Sequence, residues 1–307
     1  MAQDHHGHPN HGHGPHGHSH GIDPKAGDAR VAAAIGVNLV LTLVQIVGGV
    51  VSGSLALIAD AIHNLSDAVS LVIAFAARKL ARRPRDGTMT FGYGRAEVVA
   101  AMVNYTTLIV ISVYLFAEGV ARLFNPPQVE GWIVVWIAGV ALVVDVVTAA
   151  LTYAMAKESL NIRAAFLHNL ADAFSSVAVI VAGTVILIYD WRLIDPLITM
   201  GIAVYILWHA LSEVRPVVRI LMLGAPSGLD SAAVATAISE VAGVDSTHHV
   251  HLWQIDETRV SVEAHLVTQG PAPEVLARVK TMLKDRFGVT HSTLEVEAPG
   301  AGCATSD

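Results

Sequence analysis

The pattern of hydrophobic and polar positions divides the chain into a membrane part and a soluble part. From Val31, six apolar stretches follow one another, each long enough for a bilayer crossing of roughly 20 residues. The breaks between them are polar or rich in glycine and proline. The pattern predicts an α-helical membrane domain over residues 30–222, with six transmembrane helices near 30–51, 55–77, 97–123, 131–155, 163–188 and 194–221.

The pattern changes after Arg219. Residues 229–242 and 273–286 show the apolar spacing of helices, whereas THHVHLWQI, RVSVEAHLV and HSTLEVE alternate as strands do. The order of these segments predicts a soluble α-β-β-α-β domain over residues 223–298.

Both ends of the chain are expected to be disordered tails, over residues 1–29 and 299–307. Residues 4–20 hold eight of the sixteen histidines, set among glycine and proline residues that do not support a helix or a core. Their irregular spacing favours a native metal-buffering arm over an engineered tag.

Composition agrees with a membrane protein and narrows the chemistry. The chain is 53% hydrophobic and 15% charged, with a mean hydropathy of +0.53. The net charge of −7 is spread along the sequence and indicates no nucleic-acid partner. A single cysteine, Cys303, excludes an intramolecular disulfide and a thiolate metal cluster, so a metal site must use histidine and carboxylate.

The distribution of lysine and arginine predicts the orientation in the membrane. Twelve such residues flank one face of the predicted spans, and two, Arg122 and Arg192, flank the other. We therefore expect both termini to lie in the cytoplasm.

A short motif occurs twice inside the predicted spans, as HNLSDA from His63 and as HNLADA from His168. Residues four apart lie on one helix face, so His63 with Asp67, and His168 with Asp172, each present an imidazole beside a carboxylate. Two such helices face to face offer two nitrogen and two oxygen ligands. This set suits tetrahedral Zn²⁺, whereas Mg²⁺ and Ca²⁺ prefer more oxygen ligands.

The cost of charge in a bilayer supports this interpretation. An ionised aspartate at the centre of a transmembrane helix costs at least about 2.5–3.5 kcal/mol. A hydrogen-bonded histidine–aspartate pair is the alternative, and its repetition in two spans favours a metal site. Asp60 and Asp145 are second candidates, with a helix-end hydrogen bond as the alternative for Asp60. Asn38, Gln45 and Asn104 are interpreted as interhelical hydrogen-bond partners.

The soluble domain carries a second group of candidate ligands. His265 lies on one alternating strand and His291 begins another, so both side chains could meet the cluster of His248, His249 and His251 across a sheet. The alternative is that these are exposed strand histidines without a ligand.

Several motifs in order resemble the cation diffusion facilitator family of zinc-type metal exporters. They are SLALIADAIHNLSD, FGYGRAE, HNLADA, the Asp195–Pro196 pair and HHVHLW, and the resemblance extends from about Val31 to Glu297. It implies six transmembrane helices, a ferredoxin-like cytoplasmic domain and a homodimer. It also implies that the two histidine–aspartate pairs form a zinc transport site and that metal is exchanged for protons.

The resemblance further implies a regulatory zinc site in the cytoplasmic domain. Its ligands would be His248, His265, His291 and Glu297, with His249 and His251 as alternates. The family often has another metal site in the loop between the second and third spans. Here Asp86 is present, but Met89 and Tyr93 stand where related sequences carry histidines, so we predict no site in this loop.

The sequence therefore predicts a secondary active transporter in a lipid bilayer, expected to be a bacterial inner membrane, that exports Zn²⁺ from the cytoplasm in exchange for protons. An enzyme is not expected, because a closed four-ligand site leaves no open coordination position. A membrane protein that senses zinc without moving it is the other alternative. Zinc and proton fluxes in vesicles separate these two functions.

Overall fold

The structure is a computed structural model that describes residues 28–155, 160–269 and 271–300, and for some of these, including His168, the backbone alone. The two predicted tails lie largely outside the described residues. In the described part, six long helices come first: α1 (Asp28–Ser52), α2 (Leu55–Ala81), α3 (Arg95–Phe124), α4 (Gly131–Met155), α5 (Leu160–Tyr189) and α6 (Ile194–Leu221).

These helices coincide with the six predicted apolar stretches. Over the described residues, four segments are long and apolar enough to cross a bilayer, one in each helix from α3 to α6. Large apolar side chains on their outer faces, such as Val110, Val143 and Trp208, are more than half exposed. Such a surface is stable against lipid rather than water, as expected for a helical membrane domain.

Packing places α2 among the other helices. It contacts α1, α3, α5 and α6, while α3 also packs on α6 and α4 on α5. Leu57, Leu115, Val134 and Val179 are fully buried in the shared core. The predicted interhelical role of Asn104 is confirmed, because its Oδ1 accepts a hydrogen bond from Ser66 on α2 at 3.3 Å.

Asp195 joins the beginning of α6 to the beginning of α2. This buried carboxylate accepts hydrogen bonds from Ser54 Oγ at 2.5 Å, from the backbone N–H of Leu55 at 2.8 Å and from that of Ala56 at 3.3 Å. The first N–H groups of a helix have no partner within the helix, so Asp195 supplies a cap from a distant part of the chain. The aspartate of the Asp195–Pro196 pair therefore caps the beginning of α2.

The soluble domain has the predicted α-β-β-α-β order. It consists of α7 (Ser231–Ser239), β1 (Val244–Gln254), β2 (Val260–Thr268), α8 (Ala272–Phe287) and β3 (His291–Glu297). The sheet has the order β1-β2-β3, with β1 and β2 antiparallel and β2 and β3 parallel. Both helices bury their apolar faces against this mixed sheet in a core that contains Val234, Leu266 and Leu283.

Hydrogen bonds connect the soluble domain to the membrane helices at the start of α3. Arg95 donates from Nε to the backbone oxygen of Ile255 at 2.8 Å, and Arg259 donates to the backbone oxygen of Phe91 at 3.2 Å. A side chain at Gly94 would collide with the carboxylate of Asp256. The FGYGRAE motif therefore holds the β1–β2 turn against the beginning of α3.

Candidate metal sites

The first candidate site lies where α2 and α5 face each other. His63 Nε2 is 3.8 Å from Asp67 Oδ2 on the same helix and 3.1 Å from Asp172 Oδ1 on α5. The ligand atoms of these three side chains all lie within 4.8 Å of one another. An imidazole and two carboxylates at this spacing form a donor set for one divalent ion.

The fourth predicted ligand, His168, lies on α5 four residues before Asp172. Residues four apart share a helix face, so its backbone position belongs to the face that carries Asp172. Its side chain lies outside the described part of the structure. The structure thus brings three of the four predicted ligands together, and the role of His168 stays a prediction.

The three converging side chains differ in exposure. Those of His63 and Asp172 are 7% and 10% exposed, whereas that of Asp67 is 32% exposed. The ring of Tyr205 on α6 covers His63 edge-on, with 6.3 Å between the ring centroids. Asp67 is therefore on the more open side of this group, and the other two donors are on its covered side.

The charge of this site explains what it can hold. Two carboxylates beside one imidazole, surrounded by apolar helices, carry negative charge that is costly to remove from water. A divalent cation offsets that charge, and so do protons. The arrangement can therefore alternate between a metal-bound and a protonated form.

The second-tier candidates, Asp60 and Asp145, lie outside this donor set. Asp60 accepts hydrogen bonds from Gln45 and from Ser175, and Asp145 accepts one from Ser176 at 2.9 Å. The interhelical role predicted for Gln45 is confirmed by this contact. The two serines were not identified from the sequence, because a serine in an apolar helix commonly bonds its own backbone and gives no distinct signal.

The second candidate site lies on the sheet of the soluble domain. His248 on β1 is directly opposite His265 on β2, and Glu297 ends β3 close to both. His265 Nδ1 is 2.8 Å from Glu297 Oε1, and His248 Nε2 is 3.3 Å from Glu297 Oε2. The structure brings these three predicted ligands together, with one ligand atom of each within 4.8 Å of the others.

This second donor set fits a zinc ion. Two imidazoles and a carboxylate are among the ligands that Zn²⁺ takes most often. His248 Nε2 and Glu297 Oε2 are buried and face each other at 3.3 Å, but neither makes a hydrogen bond of good geometry within the described part of the chain. Buried polar atoms normally have a well-aligned partner, and a cation bound between these two would satisfy both.

Two of the other predicted histidines, His249 and His251, lie close to this cluster. His249 and His251 have their Nε2 atoms 3.2 Å apart, and the His249 ring centroid is 4.7 Å from that of His265. His249 has a positive φ of 51° where β1 loses register, which turns its side chain towards this group.

The structure does not bring His291 to the cluster. It begins β3, six residues before Glu297, and pairs with Ser261. Six residues of a strand span about 20 Å. The ring of His291 instead contacts Phe91 of the loop before α3, with 5.7 Å between centroids. Strand alternation predicts the face of a residue correctly but not its position along the strand.

Asp86 stabilises the loop between α2 and α3 through hydrogen bonds within the loop. Asp86 accepts hydrogen bonds from the hydroxyl of Tyr93 at 2.6 Å, from the hydroxyl and backbone N–H of Thr88, and from the backbone N–H of Met89. The bond from Tyr93, followed by those from Thr88 and Met89, holds the pKa of Asp86 well below its ordinary value. Among the described residues, this loop contributes no member to either metal-ligand group.

Comparisons with known proteins agree with both parts of the structure. The family model of the cation efflux transmembrane domain matches residues 31–222, and that of the cation efflux protein cytoplasmic domain matches residues 226–299. The metal cation efflux system protein CzcD of Cupriavidus metallidurans is 33% identical over 292 residues, covering 94% of this chain and 92% of that protein.

Two further relatives have similar coverage. The zinc transporter ZitB of Escherichia coli is 34% identical over 271 residues, which cover 87% of this chain and 87% of that protein. The cadmium, cobalt and zinc/H(+)-K(+) antiporter of Bacillus velezensis is 33% identical over 262 residues, 83% of each chain.

Proposed function

Because the chain belongs to the cation diffusion facilitator family of cation efflux proteins, we propose that it exports Zn²⁺ from the cytoplasm in exchange for protons. The transport site consists of His63, Asp67, His168 and Asp172. The observation that carries this proposal is the convergence of His63, Asp67 and Asp172 from two apolar helices. The family is one of transporters rather than enzymes, and the protein is a multi-pass membrane protein.

Charge balance links metal to protons. When all four ligands hold Zn²⁺, two aspartates and two neutral histidines leave the site without net charge. Release of the ion would leave two negative charges in an environment of low dielectric constant, unless protons replace it. Binding of protons on the release side therefore lowers the cost of emptying the site, and an inward proton gradient drives zinc outward.

The names of the relatives support zinc as the transported ion and its exchange for protons. One is named a zinc transporter, and another a cadmium, cobalt and zinc/H(+)-K(+) antiporter. Zinc is the ion we assign, because a site of two imidazoles and two carboxylates suits tetrahedral coordination. Imidazole and carboxylate also accept Co²⁺ and related ions, so zinc is the preferred ion of a broader group.

The proposed topology has six transmembrane helices with both termini in the cytoplasm of a bacterial cell. The six helices α1–α6 and the excess of lysine and arginine on one face support it. The soluble domain then lies in the cytoplasm, as the description of its family model states for the family. Its fold is of the ferredoxin-like type, which the α-β-β-α-β order supports.

The cytoplasmic domain has the role of a zinc-sensitive dimerisation module. Its candidate ligands lie on three different strands, so one ion would tie β1, β2 and β3 together. Zinc changes a conformational equilibrium only if it binds the two states unequally. A homodimer in which zinc favours a tighter pairing of the domains meets this requirement.

Zinc uptake by purified protein in liposomes tests the proposal. With an acidic lumen and zinc outside, the wild-type protein should accumulate zinc in the lumen, and collapse of the pH gradient should stop accumulation. A protein that binds zinc but never accumulates it would be a sensor, and the transport assignment would be wrong. Liposomes with the Asp67→Ala variant provide the control for leakage.

A further inference from the structure

A chain of hydrogen bonds, centred on a buried aspartate and ending at the half-buried Ser175, lies beside the transport site and joins three helices. Asp60 on α2 is 1% exposed. Its Oδ2 accepts from Gln45 Nε2 of α1 at 2.9 Å, and its Oδ1 accepts from Ser175 Oγ of α5 at 2.6 Å. Gln45 Oε1 in turn accepts from Asn64 Nδ2 at 3.3 Å, which directs the amide N–H group of Gln45 towards Asp60.

The position of this chain relates it to the ligands. Asp60 comes three residues before His63 on α2, and Ser175 comes three residues after Asp172 on α5. The two helices run in opposite directions, so the bond between Asp60 and Ser175 crosses from α2 to α5 about one turn from the ligand level. The two ligand-bearing helices are thus joined directly beside the site.

The chemistry of this contact makes it a stiff connection. A hydrogen bond to a carboxylate is shorter and stronger than one between neutral groups, and both bonds to Asp60 are of this kind. Asp60 is buried among apolar helices, so loss of a partner would leave its carboxylate unsatisfied, and separation of the helices is costly. The distance between α2 and α5 is therefore fixed by Asp60 and Ser175 as well as by the ligands.

We propose that the Gln45–Asp60–Ser175 chain selects the size of the transported ion by holding α2 and α5 at the separation that zinc requires. Asp60 is a positioning residue, and this inference rests on the proposed function. Zinc takes imidazole nitrogen and carboxylate oxygen at about 2.0–2.2 Å. Cd²⁺ is larger and needs longer bonds. A site held closed by Asp60 and Ser175 disfavours Cd²⁺, and a loosened site accommodates it.

Neighbouring serines on α5 provide a matched pair for the test. Ser175 bonds to Asp60 on the ligand-bearing helix α2, whereas Ser176 bonds to Asp145 on α4. Each donates one hydroxyl to a carboxylate on a neighbouring helix, Asp60 being buried and Asp145 half-buried. Replacement of either by alanine removes the same atoms from consecutive positions, but only the first removes the connection between the ligand helices.

The experiment compares initial rates of Zn²⁺ and Cd²⁺ uptake into liposomes that contain full-length wild-type protein, Ser175→Ala, Ser175→Thr, Ser176→Ala or Asp60→Asn. Loss of a residue that supports a metal ligand costs about 10- to 100-fold in affinity or activity. For Ser175→Ala we expect the KM for zinc to rise by about tenfold and that for cadmium to change less. Asp60→Asn should change the ratio in the same direction, while Ser175→Thr, which keeps the hydroxyl, should restore zinc preference.

The ratio of the two ions distinguishes positioning from general damage. A less stable protein would lose both activities together, as a lower maximal rate, and that result would overturn the inference. The inference would also be overturned if Ser175→Ala, like Ser176→Ala, kept the wild-type ratio of zinc to cadmium uptake. Absence of zinc uptake by the wild-type protein would instead refute the proposed function.

Discussion

His63 Nε2 and Asp172 Oδ1 lie 3.1 Å apart, although 109 positions separate the two residues in the chain. This contact crosses from α2 to α5 and brings the repeated histidine–aspartate motifs face to face. Asp67 completes the described group from one turn along α2. We therefore interpret the repeated motif as two half-sites of the proposed transport site, to which the described side chains contribute His63, Asp67 and Asp172.

Loss of either carboxylate should abolish transport. Asp67→Ala and Asp172→Ala each remove an oxygen ligand, so we expect zinc uptake to fall by at least about 100-fold, more than for a supporting residue. Asp67→Asn and Asp172→Asn keep the shape but remove the charge and should fail nearly as badly. Uptake assays in liposomes, normalised to the inserted protein, measure this effect.

The control for these variants is Asp190→Ala. Asp190 is an exposed aspartate in the turn after α5 and pairs with Arg192 at 2.9 Å, away from the site. Its replacement should leave uptake close to that of the wild-type protein. Near-normal uptake by Asp67→Ala or Asp172→Ala would remove both residues from the transport site.

Replacement of His63 by aspartate should weaken zinc selectivity. The site then offers more oxygen and less nitrogen, a donor set that harder cations accept more readily. Competition of Mn²⁺ with zinc uptake measures the change, and His209→Asp on α6 controls for an added carboxylate in the membrane domain. If His63→Asp kept the wild-type preference, selectivity would reside in other residues.

Zinc binding by the cytoplasmic domain should depend on His265 and His248 but not on His291. Protein that lacks residues 1–24 and carries Asp67→Ala and Asp172→Ala has neither the histidine-rich arm nor a working transport site, so it isolates the second site. On this background His265→Ala should lower zinc affinity at least about tenfold, because it removes a ligand. Calorimetric titration measures it.

His291→Ala is the matched control, because His291 contacts Phe91 at the far end of β3. It should retain the zinc affinity of the background protein. If His291→Ala lost affinity as His265→Ala does, His291 would be a ligand and the grouping of His248, His265 and Glu297 would be incomplete.

The loop before α3 should open in acid. Hydrogen bonds from Tyr93, then Thr88 and Met89, hold the pKa of Asp86 below its ordinary value, so the carboxylate stabilises the folded loop when it is charged. A lowered pKa in the folded state means that this stabilisation is present above the unfolded value of about 3.9 and is lost as the pH falls through the folded value. Hydrogen exchange at the Met89 amide, corrected for the intrinsic rate, should show protection at neutral pH that declines in strong acid.

Asp86→Asn tests the cause. The variant lacks the charge, so protection at Met89 should already be reduced at neutral pH and should change little with acid. If Met89 in the wild-type loop were no better protected at neutral pH than Met89 in Asp86→Asn, Asp86 would not control the loop.

Local patterns in the sequence predicted the helices, and three of the four residues predicted for each site lie together in the structure. The spacing of His63 and Asp67 is a property of one helix, so it needs no tertiary information. The prediction that α5 faces α2 came from the repeated motif, and the contact between His63 and Asp172 agrees with it. By contrast, Ser175 gives no sequence signal, because its role depends on which carboxylate lies opposite on another helix.

The sheet shows the same limit of prediction from local sequence patterns. Alternation correctly assigned His248 and His265 to strands, and their antiparallel pairing places them opposite each other. The register of the parallel strand β3 depends on α8 and its connections, which alternation does not encode. His291 and Glu297 lie on the same strand, but only Glu297 reaches the cluster.

Zinc and proton movement recorded together in the same liposomes is the most direct test of exchange at the transport site. With zinc outside and an acidic lumen, we expect zinc uptake with simultaneous loss of protons from the lumen, and loss of both fluxes in Asp172→Asn. With equal zinc concentrations on both sides, reversal of the pH gradient should reverse the direction of net zinc movement. Zinc uptake that proceeds at the same rate without proton movement would contradict the exchange of zinc for protons at His63, Asp67, His168 and Asp172.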